Sequence, residues 1–63
     1  KSTVSQLAID NIVEITGGPF KGMKATITRI DVDKEEATVV LLDASYQLPV
    51  TVDANYLKLS VGA

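Results

Sequence analysis

Thr16-Gly17-Gly18-Pro19-Phe20-Lys21-Gly22-Met23-Lys24 holds three of the chain's four glycines and its only phenylalanine. Gly17 and Gly22 have the spacing that opens a phosphate-binding loop, G-x-x-x-x-G-K-[ST], but Met23 stands where the lysine is required and Lys24-Ala25 follows. That lysine neutralises phosphate charge and the hydroxyl after it holds Mg²⁺, so neither task is performed here. A phosphate loop also opens a helix, whereas the residues after Met23 read as a strand. What remains is turn chemistry. Gly17, Gly18 and Gly22 permit positive φ, and Pro19 presets a turn position. The stretch is a structured loop between two strands that carries Phe20, Lys21, Met23 and Lys24 outward.

On both sides of this loop the chain punctuates into short β-branched runs bounded by turn residues. Ile12–Ile15 precedes it and Lys24–Ile30 follows. Then come Ala37–Leu42, Gln47–Val52 and a short Leu57–Leu59. No segment shows the i, i+3, i+4 recurrence of a standing helix. Asp53-Ala54-Asn55-Tyr56, with a capping acid, suits a single 3₁₀ turn. Five short strands in about 50 residues do not make two packed sheets. The expectation is a small, strongly bent antiparallel barrel, which also removes exposed edges. Its inward positions are Val13, Ile15, Ala25, Ile27, Val39, Leu41, Val50, Val52, Leu57 and Leu59. Alternation breaks between Ile27 and Ile30, which predicts a bulge or sharp bend. Val40 and Leu42 make the third strand apolar on both faces, so its outer face is either covered or an interaction surface. Pro49 cannot donate to a ladder and belongs at an edge or a gap in the pairing.

Composition removes several function classes. At 63 residues the chain is one small domain. With no cysteine and no histidine it has no disulfide, no thiolate or imidazole metal site and no Ser/His or Cys/His nucleophilic pair. The 46% hydrophobic content is enough for an apolar core to carry the stability alone. Asp31-x-Asp33-x-Glu35 lacks the glycine and the closing bidentate glutamate of a calcium loop and reads as a charged hairpin turn. We expect no enzyme, no metal and no cofactor. No apolar run reaches membrane-spanning length, and no signal peptide opens the chain, so a cytoplasmic protein is expected. Lys1 stands in place of an initiator methionine, and we expect a fragment of something longer. The net charge of −2 is unlike a phosphate-gripping domain, although Lys21, Lys24 and Arg29 fall in a span without an acid.

Val13 to Ile27, through the "GPFKG" of Gly18–Gly22, resembles a KOW motif. With the Asp33–Glu36 turn, Pro49–Val52 and the closing Tyr56-Leu57, residues 7–60 are similar to the C-terminal KOW domain of NusG-type elongation factors. The form with Lys21-Gly22 and Ala25 is most similar to the archaeal, Spt-type version. Two departures stand out: Asp10-Asn11 where many KOW motifs begin Gly-Asp, and Ala25 where many have glycine. The resemblance implies an all-β, five-stranded antiparallel SH3-like barrel over residues 9–60. Residues 1–8 would then be a lead-in from an N-terminal domain, and 61–63 a C-terminal tail. It further implies a parent that binds RNA polymerase through that other domain. In the bacterial relatives the KOW domain is the recruiting arm and contacts the ribosomal protein NusE or the termination factor Rho; KOW domains of ribosomal proteins contact RNA instead.

Three readings follow. The first is a monomeric, non-catalytic recruiting module that docks a NusE-like protein or another factor through Phe20, Lys21, Met23, Tyr46 and Leu48, on a loop shaped by Gly17, Gly18, Pro19 and Gly22. The second is an RNA-contacting domain acting through Lys21, Lys24 and Arg29, for which the sequence supports only weak binding. The third is a structural spacer with no exposed apolar cluster. We rank them in that order.

Overall fold

Each β-branched run forms a strand. The computed structural model describes residues 7–45 and 47–60. The strands are β1 (Ile12–Ile15), β2 (Lys24–Asp31), β3 (Glu36–Leu41), β4 (Pro49–Asp53) and β5 (Leu57–Leu59), with a 3₁₀ turn over Ala54–Tyr56. All neighbouring pairs are antiparallel, in the order β4-β3-β2-β1-β5. This is the expected SH3-like all-β fold, with small shifts of boundary. β3 begins at Glu36 and ends at Leu41, leaving Leu42 in the following turn and 43% exposed. β4 begins only at Pro49. That proline sits on an edge strand, where its missing N–H disturbs least.

One face of the sheet is the core. Val13 pairs with Ala25, Ala25 with Leu41, Ile27 with Val39 and Ile15 with Leu57, so the buried side chains run across the strands in rows. Val13, Ile15, Ala25, Ile27 and Val39 are fully buried. Removing a side chain of the size of Val13, Ile15 or Ile27 from water contributes about 1.5–3 kcal/mol. β2 is the long strand, and its register against β3 shifts between Ile27 and Arg29. Thr28 is the extra residue, and its hydroxyl donates to the Thr38 carbonyl at 3.2 Å. The bulge exchanges inward and outward positions, so beyond it Ile30 and its partner Ala37 face the core. The broken alternation in the sequence therefore marks a real bend.

Three expectations need correction. The sheet does not close: among the described residues no ladder joins β4 to β5, so both remain edges. Instead the 3₁₀ turn spans the seam. The Ala54 N–H donates to the Glu35 carbonyl at 2.8 Å and the Thr16 N–H donates to the Tyr56 carbonyl at 2.7 Å. Asp53 caps this turn, its carboxylate accepting from the Asn55 N–H at 2.8 Å. Leu59, expected inside, is 39% exposed because it ends an edge strand with no neighbour beyond it. Val50 and Val52, on the other edge, are only half-buried for the same reason. Ala37 and Ala54 belong to the buried set and were not anticipated.

At the entry to β1, Asp10 adopts φ 75. Aspartate tolerates this left-handed conformation better than most residues, so the turn survives without the usual glycine. The Asn11 side chain accepts from the Ala8 N–H at 2.8 Å. Ala25 is fully buried, its methyl group part of the core. Leu7 packs against the same core. Of the lead-in expected over residues 1–8, residues 1–6 lie outside the described residues, as do the tail at 61–63 and Tyr46.

Candidate functional site

The β1–β2 loop is folded on itself. The Ile15 N–H donates to Met23 O at 2.8 Å and the Gly22 N–H donates to Ile15 O at 2.7 Å, closing the loop at its base. Two overlapping turns follow, Lys21 N–H to Gly18 O at 3.3 Å and Met23 N–H to Phe20 O at 3.1 Å. In the first, Pro19 holds the second position, where a fixed φ is favoured. Gly18 and Gly22 have φ of 80 and 92. At Gly22 a Cβ would meet nothing within 4 Å, so the backbone conformation alone demands glycine. Gly17 serves a different purpose. A Cβ there would lie 3.0–3.1 Å from Cδ1, Cε1 and Cγ of Tyr56. The missing side chain lets the tyrosine ring settle on the loop backbone.

Phe20 and Met23 are both half-buried and pack against the core, while Lys21 is exposed. Phe20 also lines a shallow, largely apolar groove of about 240 Å³, with Pro19, Val52 and Tyr56 as its other apolar walls. Met23 and Leu48 do not line it. Leu48 stands 67% exposed just before β4. The Leu42 N–H donates to Lys24 O at 2.9 Å, which sets the end of the β1–β2 loop beside the β3–β4 connection. The first and third loops thus share one end of the sheet, but among the described residues expected to dock only Phe20 lines the groove.

The three basic residues do not gather. Lys21 is on the loop. Lys24 is paired across the strands with Glu14, and Glu14 with Lys58, giving an outward row of alternating charge. Arg29 lies five residues farther along β2, roughly 16 Å away at strand rise. There it shares a polar groove with Asp31, Asp33 and Glu36. Those three carboxylates oppose a phosphate backbone at this groove.

Sequence reasoning missed Tyr56 as a surface residue. It is 46% exposed and lies against Gly17 and Gly18. The available signal was the glycine doublet itself: Gly18 and Gly22 answer to φ, which left Gly17 without a reason until the tyrosine ring supplied it.

A curled five-stranded antiparallel sheet with a glycine-shaped β1–β2 loop defines an SH3-like domain. The KOW motif matches residues 9–41, and the chain belongs to the KOW family. It is a KOW domain of the archaeal Spt5/NusG type. The transcription elongation factor Spt5 of Pyrococcus furiosus is 42% identical over 59 residues, covering 94% of this chain and 39% of that protein. Its counterpart in Methanocaldococcus jannaschii is 36% identical over 59 residues, covering 94% of this chain and 40% of that protein. A crystal structure of the MjSpt4:Spt5 complex, in conformation B, matches with a TM-score of 0.77 at 37% identity, over 86% of this chain and 37% of that one. The chain thus spans about two fifths of the length of these relatives.

Proposed function

We propose that this domain is the recruiting arm of a transcription elongation factor. Its parent binds RNA polymerase through another domain, in the cytoplasm. Residues 9–60 form the arm, which docks a NusE-like ribosomal protein or another recruited factor as a monomer, without catalysis. Related Spt5 chains have been solved in complex with Spt4, and we extend an Spt4-like subunit to the parent of this chain. The docking face consists of Phe20, Lys21 and Met23, with Leu48 and Tyr46 from the third loop.

The observation that carries this reading is the β1–β2 loop. It brings two apolar side chains only halfway into the core and rims them with an exposed lysine. Interface hot spots have this makeup, an apolar centre with a polar border. The test is capture of a purified NusE-like protein by the full-length factor. Leu48→Ser, at an exposed position, and Lys21→Glu should weaken capture while leaving the melting temperature unchanged. Capture unaffected by both, and by Phe20→Ala in a folded sample, would overturn the docking face.

The alternative is an RNA-contacting domain of ribosomal-protein type acting through Lys21, Lys24 and Arg29. Three phosphate contacts give a slope of log K against log salt of about −2 for single strands, with little affinity. Steeper dependence, or tight binding that persists at high salt, would place RNA first.

A further inference from the structure

Tyr56 has no part in the docking face just described, yet its position is tightly specified. Its carbonyl holds the Thr16 N–H, and its ring lies over Gly17 and Gly18, with Cδ2 and Cε2 at 3.8 Å from where a Gly18 Cβ would sit. Nearly half of the residue still faces solvent. An aromatic ring fixed on one side and open on the other is a preorganised contact surface, which lowers the ordering cost of binding.

Beside it runs the groove of about 240 Å³ bounded by Pro19, Phe20 and Val52. The opposite wall is β4 at Thr51–Asp53, an edge strand with no neighbour on that side among the described residues. The groove is apolar along most of its length and carries one carboxylate, that of Asp53, at one end. That carboxylate also accepts from the Asn55 N–H, which fixes its place beside the ring, whereas Glu36 lines the separate polar groove with Arg29.

These features select among ligand chemistries. An amphipathic helix needs a longer trough for anchors spaced a turn apart. A nucleic acid suits an aromatic platform but not the Asp53 carboxylate beside it. An added β-strand wants a long unbroken edge, whereas β4 has five residues and starts with a proline. A polyproline II segment fits best. Its backbone is already extended and loses little entropy on binding, its rings pack on aromatic-lined grooves, and a basic residue beside them would face the acidic end. We propose that the Tyr56 groove receives a polyproline II segment of a partner protein, with a lysine or arginine flanking the prolines. The proposal rests on the reading that this loop face binds protein, and it assigns the chemistry of one contact.

The test is a titration of the isotope-labelled domain, followed by backbone amide shifts, with a proline-rich decapeptide ending in arginine. Shifts should concentrate at Gly17, Gly18, Phe20, Thr51–Asp53 and Tyr56 and saturate with a dissociation constant on the order of 0.1–1 mM, in keeping with so small a contact. Replacing the prolines by alanine should weaken binding about tenfold. Replacing the arginine by alanine should weaken it about threefold, the scale of one exposed ion pair. Asp53→Asn keeps a capping oxygen and should erase that threefold difference. Tyr56→Ala should abolish the shifts in a sample whose remaining spectrum stays dispersed. Absence of groove shifts at millimolar peptide overturns the proposal, and so does equal binding of the alanine peptide. Stronger binding by a proline-free strand-forming peptide overturns it in favour of strand addition. The two readings fail separately. Capture of the NusE-like protein without peptide binding removes the groove's assignment alone, and peptide binding without capture removes the named partner alone.

Discussion

Two reversals flank β2, and they are built from opposite materials. The loop before it, Thr16–Met23, uses glycine at both positive-φ positions and folds Phe20 and Met23 back onto the core. The turn after it, Val32–Glu35, has no glycine. There Glu35 itself adopts φ 54, the Asp31 carboxylate accepts from the Lys34 N–H at 3.1 Å, and Val32 is left 64% exposed. Both reverse an antiparallel pair, so reversal alone does not require a glycine-rich apolar loop. The difference marks the first loop as the one that does more than turn the chain.

Substitution sharpens the contrast most at the apolar residues. Phe20→Ala should cost about 2 kcal/mol, below the 3–5 typical of a fully buried aromatic. Val32→Ala should stay within about 0.5 kcal/mol. Urea midpoints at unchanged m-value measure both, and equal losses would erase the distinction. Next come the positive-φ residues. Gly22→Ala should destabilise by about 1 kcal/mol or more through backbone strain alone, since no neighbour obstructs the new methyl group. Glu35→Gly should act in the other direction, relieving a left-handed conformation that costs about 1–2 kcal/mol at the expense of unfolded-state entropy, for a net gain of roughly 0.5. A loss at Glu35 would mean that its side chain stabilises the turn after all. The smallest effect on stability is expected at Gly17→Ala, under about 0.5 kcal/mol, because a small displacement of the half-exposed Tyr56 ring from its seat admits the new methyl group. The ring's proton shifts should nevertheless move, and an unmoved ring would deny that Gly17 seats it.

What was legible in the sequence follows from the range of the forces involved. β1, β2 and β3 could be read because β-branched alternation is local, and the bulge at Thr28 because a bulge reverses alternation in place. The value of Asp10 as a substitute for glycine was not legible: the departure from Gly-Asp was noticed, but only the backbone angle shows that the turn persists. The exposure of Leu59 and the half-burial of Val50 depend on which strands lie at the edges, and alternation carries no information about that. The groove was the least legible feature. It needs the loop, the end of β4 and Tyr56 together, and no spacing along the chain announces their meeting. Hence the sequence pointed to Phe20 but not to Val52 and Tyr56, which line the groove with it.

The hydrogen bond from Thr16 to Tyr56 joins residues about forty positions apart in the chain. A contact of such separation closes a large loop, and the chain entropy lost in closing it must be offset by the rest of the fold. The Tyr56 platform therefore exists only where the seam is bridged and both ends of the domain are held together. On a ribosome it cannot exist until residue 56 has left the exit tunnel. A partner that reads this groove thereby reads completion: it distinguishes a finished domain from a nascent or half-unfolded one without any separate proofreading step.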